Sequence, residues 1–167
     1  PGGVDLAEVC GGAGRTSQVA IRRRLKAGPN FDLVTDCDLC DRDDAAKAYR
    51  YFQKHDVYCA VMAPICGPYG ARSHLNWHMY PDTMAKKEKE ARPVAAFCGR
   101  VALLQLSKNR HFIQEQPHPS SLYEVTPWPT VKKDPRVCRH IYHRCKCQLR
   151  GREGDYRGLY IKIPSTM

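Results

Sequence analysis

The 167-residue chain has no apolar run long enough to cross a membrane. Asp5 and Glu8 interrupt its first strand-like segment, so no secretory leader is read from it. It has no internal repeat, which sets aside solenoid and array architectures. Its nine cysteines are odd in number and lack the spacing of a secreted scaffold, so reduced thiols in an intracellular protein are expected. Cys10, Cys59 and Cys98 read as plain core residues, because free cysteine packs as a small hydrophobe. The Gly-x-Gly-x-x-Gly dinucleotide fingerprint is also missing. The chain opens on Pro1 rather than methionine, so a domain excised from a longer polypeptide is expected.

Hydrophobic residues make up 43% of the chain, enough for a core, and the length suits one domain over residues 1–167. The net charge of +10 is unevenly spread. Asp32, Asp36, Asp38, Asp41, Asp43 and Asp44 form an acidic stretch. From Lys132 to Arg157, nine lysines and arginines face only Asp134, Glu153 and Asp155. A basic half of this kind suits a polyanion such as nucleic acid; the competing reading is a solvated face that maintains solubility.

Strand and helix patterns alternate. Val4–Cys10 reads as a strand, Thr16–Lys26 as a helix ended by Gly28-Pro29-Asn30, and Phe31–Thr35 as a short strand. Asp43 or Asp44 is expected to cap a helix reaching Lys54. Val57–Ala63 is almost wholly apolar, as a parallel strand covered on both faces would be. A polar connection with Arg72, His74 and Trp77 leads to a helical region from about Thr83 to Lys108, which Pro93 should break or restart. Its second half carries Val94, Phe97, Cys98, Val101 and Leu104 on one face. His111–Gln114 is the next strand. Pro117, Pro119, Pro127, Pro129 and Pro135 mark a long loop. Cys138–Leu149 and Leu159–Ile163 then suggest an antiparallel hairpin that closes the sheet. The expected fold is α/β: a Rossmann-like, mostly parallel sheet with a C-terminal antiparallel β-hairpin.

Three segments in that order carry chemistry. Gly11, Gly12 and Gly14 form a turn after the first strand, where a cofactor can approach backbone N–H groups. Asp36 or Asp38 is placed to hold ribose hydroxyls, or else only caps the following helix. Cys66 leaves a buried strand into a Gly-Pro turn, which gives a thiol at the carboxyl edge of the sheet. Glu115 ends the neighbouring strand and can offer a carboxyl group to the same crevice; partial burial would let it donate a proton.

Ala63-Pro64-Ile65-Cys66-Gly67-Pro68-Tyr69-Gly70 resembles the Pro-Cys catalytic loop of cytosine-5 DNA methyltransferases. Gln114-Glu115-Gln116-Pro117 resembles their Glu-Asn-Val motif, Glu8–Gly14 their first cofactor motif, and Thr35-Asp36-Cys37-Asp38 their acidic segments. The matches fall in family order over about residues 4–117, and similar segments occur inside retroelement polyproteins. The resemblance implies S-adenosylmethionine at Glu8, Gly11, Gly12, Gly14, Asp36, Asp38 and Pro64. It implies Cys66 attack on C6 of a flipped cytosine, with Glu115 at N3. Arginines of the tail would hold the base and phosphates. Gln148-Leu149-Arg150-Gly151-Arg152 matches the family's Gln-x-Arg-x-Arg motif, and Arg157 lies nearer the last strand. DNA is the implied partner in preference to RNA, with a nuclear location for an enzyme acting on DNA. The chain departs from the pattern at Ile65, where the family has proline, and at Gln116, where it has asparagine. It also shows one strand where the family has two before Val57, and no target-recognition domain or closing helix.

An alternative from another class is a catalytically inactive, methyltransferase-like nucleic-acid-binding module of a larger polyprotein. Cys138-x-His140-x-x-His143-x-Cys145-x-Cys147, with Cys37-x-x-Cys40, gives it a route to zinc stabilisation. Ligands spaced along one strand argue against a tetrahedral site, so no metal is assigned.

Overall fold

The computed structural model describes residues 3–71, 73–143 and 160–166. Strand β1 (Val4–Val9) lies inside a parallel sheet and buries its last four residues. It pairs on one side with β2 (Ala27–Phe31) and on the other with β3 (Val57–Met62). Strand β4 (His111–Gln114) pairs in parallel with β3. The sheet continues with β7 (Tyr160–Thr166), which runs antiparallel to β4 at Ile113↔Ser165. Strand β7 also pairs with the short β5 (Gln116–Pro117) and, over seven registers from Val137↔Thr166 to His143↔Tyr160, with β6 (Val137–His143). The chain is thus a Rossmann-like α/β fold whose four parallel strands run in the order β2-β1-β3-β4 and end in an antiparallel hairpin. Among the described residues, no helix is long and apolar enough to cross a membrane.

The first crossover helix, α1 (Arg15–Arg22), is shorter than expected and buries only Ala20. Strand β2 departs most from expectation. It is built from Gly28-Pro29-Asn30, the segment expected to act as a breaker, and stops at Phe31. Its position explains this, because among the described residues β2 is an edge strand with no outer neighbour, and edge strands are where proline is tolerated in a sheet. Gly28 is required there, since a Cβ would lie 2.9 Å from both the Tyr51 hydroxyl and a Val4 methyl. Leu33–Thr35 is a 3-10 turn rather than a strand. The Asp32 carboxylate accepts from Val34 N at 2.9 Å, and the Thr35 hydroxyl accepts from Asp32 N at 3.3 Å.

Helix α2 (Arg42–Lys54) is capped by Asp41, which accepts from Asp43 N and Asp44 N at 2.9 and 3.0 Å. Asp43 and Asp44, the expected caps, instead fill the first turn, where negative charge also suits the helix dipole. The polar connection after β3 contains a helix, α3 (Ser73–Met79), with no buried residue. Helix α4 (Pro81–Ser107) runs unbroken through Pro93. An interior proline costs about 3 kcal/mol. Ala91, Val94, Ala95, Phe97 and Cys98, all buried around it, press the helix onto the sheet and outweigh that cost. Gln105, fully buried near its end, donates to Val57 O and His111 O at 3.1 and 2.8 Å, tying α4 to the starts of β3 and β4.

The proline-marked tail is not a loose loop. A 3-10 turn (Ser121–Glu124) and α5 (Trp128–Val131) carry Leu122, Val125, Trp128 and Val131 into the core at a spacing of three. Trp128 is fully buried, donates to Ala95 O at 2.9 Å and meets Phe112 and Tyr123 edge-on.

Candidate functional site

From β1 the chain crosses to β2 on one side, and β3 then pairs on the other. The strand order therefore reverses between β1 and β3. In an open α/β sheet, the crevice outside the carboxyl ends of two such strands is where ligands bind. The Gly11–Gly14 turn leaves β1 and the Ala63–Cys66 segment leaves β3 at that edge, with Ala63 N donating to Val9 O at 3.0 Å.

The glycine turn is built tightly. A Cβ on Gly11 would stand 2.6 Å from Glu8 Oε2 and 2.7 Å from Asn30 Oδ1, so only glycine fits. Gly12 and Gly14 take φ of +53° and +62°, and no atom lies within 4 Å of where a Gly12 side chain would begin. Glu8 is 2% exposed and accepts from Ser17 N at 2.6 Å, so its carboxylate satisfies the start of α1, where Gly14 offers no side-chain cap. Gly11 N donates to Asn30 Oδ1 at 3.1 Å and Gly12 N to Asp32 Oδ2 at 2.9 Å.

Asp36 lies at the left-handed end of the 3-10 turn and, with Pro29, Phe31, Thr35, Cys37 and Lys47, lines an open cleft of about 520 Å³. Asp38 accepts from Cys40 N at 2.8 Å, so its carboxylate is engaged in the turn leading to α2. By position, Asp32 is the acid that directly follows the second strand. Sequence reasoning missed it because that strand was placed four residues too late. The half-buried carboxylate of Asp32 accepts from Gly12 N and from Val34 N, both at 2.9 Å, which ties the glycine turn to the segment after β2.

Cys66 is exposed at the tip of a loop stapled on both sides. Before it, the buried Pro64 offers its carbonyl to Gln116 Nε2 at 2.8 Å. After it, buried Tyr69 accepts from Ser121 N at 2.9 Å, and Tyr69 N and Gly70 N close back onto Cys66 O at 3.0 and 2.9 Å. Glu115, half-buried between β4 and β5, donates its backbone N–H to Met62 O at 2.9 Å. The segments carrying Cys66 and Glu115 therefore leave adjacent parallel strands at one edge, joined through Gln116. Gln116 is fully buried and also accepts from the Ser120 hydroxyl at 3.2 Å.

Four other thiols are poorly suited to attack. Burial raises the Cys59 thiol to about 11. It pushes Cys98 up as well, helped by a bond to Cys10. Cys37 and Cys40 are raised by burial and then by Asp44 and Asp38 respectively. Cys98 is fully buried as expected, whereas Cys10 and Cys59 are only partly so. Arg150, Arg152 and Arg157 lie outside the described residues, as do Cys145 and Cys147 of the zinc-like run. Among the described residues, no three His, Cys, Asp or Glu side chains group to hold a metal ion. No protein-family model and no curated protein matches the sequence.

Proposed function

We propose that the chain is a methyltransferase-like catalytic lobe that transfers a methyl group from S-adenosylmethionine to C5 of cytosine in DNA, with Cys66 as nucleophile. One observation carries the reading: Gln116 bonds the Pro64 carbonyl, holding the exposed Cys66 loop against the segment that presents Glu115. Cys66 follows β3, which borders the reversal, and Glu115 follows its parallel neighbour β4, at the same carboxyl edge as the glycine turn.

The cofactor would lie against Gly11, Gly12 and Gly14, with Asp32 or Asp36 on its ribose, and when bound it supplies an electrophilic methyl group. The residues of the chain account for the remaining steps. Cys66, as thiolate, adds to C6 of an extruded cytosine, forming the C–S bond and pushing electron density onto the ring. Glu115 holds the proton at N3, so that charge develops as an enamine at C5 rather than as an anion. After methylation, water takes the C5 proton, the electron pair re-forms the C5=C6 bond and expels Cys66 as thiolate, and Glu115 recovers the proton from N3. The basic tail neutralises phosphates.

A second reading is favoured by the hydrogen bonds inside the glycine turn. Gly11 N and Gly12 N are already taken by Asn30 and Asp32, as in a nucleic-acid-binding module that no longer binds cofactor. Incubating the chain with cofactor and cytosine-containing DNA, then analysing nucleosides by mass spectrometry, separates the two. The enzyme yields 5-methylcytosine that Cys66→Ser abolishes. DNA binding without methylation, and without calorimetric cofactor binding, selects the inactive module.

A further inference from the structure

Five of the eleven exposed large hydrophobic side chains among the described residues are crowded into one short stretch: Val19, Ile21, Leu25, Leu33 and Val34, between 46% and 71% exposed. They flank β2, the open edge of the sheet. Charge is segregated across the same edge. Residues 9–31 contain Arg15, Arg22, Arg23, Arg24 and Lys26 and no Asp or Glu. Residues 32–44 contain six aspartates and one cation, Arg42. Among the described residues, none of the five cations and neither Asp36 nor Asp38 forms an ion pair.

We propose that this edge is a self-complementary interface through which two copies of the chain associate about a two-fold axis. The chain path carries the argument. Arg22–Lys26, with Leu25 among them, immediately precede β2. Leu33, Val34, Asp36 and Asp38 immediately follow it. The five-residue strand separates the two patches by about 16 Å. Laying two β2 edges antiparallel sets the basic-apolar patch of each copy on the acidic-apolar patch of the other, as an isologous contact requires. Exposed Pro29, at the centre of the strand, cannot donate to a ladder, so side chains rather than a continuous sheet hold the two copies together. Apolar side chains supply the attraction, and the opposed charges fix the register.

Sedimentation velocity on the purified chain at low ionic strength tests this. The wild type should sediment as a dimer whose population falls as salt is raised. Arg22→Glu/Arg23→Glu, and separately Val34→Lys/Asp36→Lys, should each sediment as monomers with unchanged circular dichroism. Mixing the two variants should restore a dimer, because each patch then meets its opposite charge. Leu25→Ser, which leaves every charge in place, should weaken the dimer without unfolding the chain. A wild type that stays monomeric at the highest attainable concentration overturns the proposal. So does a dimer that both reversal variants retain, or a mixture that fails to re-pair.

Discussion

Replacing Gln116 by alanine should loosen the Cys66 loop more than any other single buried polar change at the site. The side chain is fully buried, with a 2.8 Å bond to Pro64 O and a 3.2 Å bond from the Ser120 hydroxyl. Truncation strands the buried Pro64 carbonyl, a penalty of about 1–3 kcal/mol, and loses the hydroxyl bond, about 1 kcal/mol more. A total near 3 kcal/mol should lower Tm by about 6–12 °C for a domain of this size. Calorimetric and guanidinium unfolding should agree on the loss. Amide exchange at Tyr69 and Gly70, whose N–H groups close onto Cys66 O, should accelerate beyond the global change. Gln114 is the control. It is equally buried, but among the described residues its Oε1 has no partner and its Nε2 makes only a 3.3 Å bond, so Gln114→Leu should change stability by less than about 1 kcal/mol. If the two substitutions cost the same, or if exchange at Tyr69 and Gly70 is unmoved in Gln116→Ala, the bridge does not hold the loop.

Gly99→Ala should destabilise by about 1–3 kcal/mol in thermal unfolding, because the new methyl would sit 2.7 Å from Pro127 Cδ. The Cys59 thiol has its value raised from about 9 to about 11 by burial, so the folded state holds this proton more tightly than the unfolded chain. That contribution is complete below pH 9 and is lost as pH rises towards 11. Cys59→Ala should therefore flatten the fall of stability over that window in denaturant titrations. Iodoacetamide should modify the exposed Cys66 and Cys138 in the native chain, and Cys98 only after unfolding, as read by peptide mass spectrometry.

The parallel sheet was legible because its strands are short apolar runs separated by helical periodicity, and Val57–Met62 and His111–Gln114 lie where the pattern puts them. That β3 and β4 are parallel neighbours followed from the single helical crossover between them. Edge strand β2 was not legible, since glycine and proline there reflect a missing neighbour and a close approach to Tyr51, both tertiary facts. That displacement left Asp32, the acid directly after β2, out of the expected set, which named Asp36 and Asp38. Pro93 misled because local cost was weighed without the packing that offsets it. In the tail, five prolines drew attention away from Leu122, Val125, Trp128 and Val131, whose spacing of three was the available signal. At the site, Cys66 and Glu115 could be picked out by their positions after strands. The link through Gln116 could not, because one bond joins residues 52 apart in sequence.

The central claim is that Cys66 forms a bond to the base, and trapping tests it most directly. The purified chain, incubated with S-adenosylmethionine and an oligonucleotide carrying 5-fluorocytosine, should form a covalent adduct, because fluorine at C5 prevents the elimination that frees the thiol. Peptide mass spectrometry should place the nucleotide on Cys66, with Cys66→Ser abolishing the adduct and Glu115→Gln reducing it. An adduct that survives Cys66→Ser, or no adduct from a chain that binds both cofactor and DNA, would contradict the account.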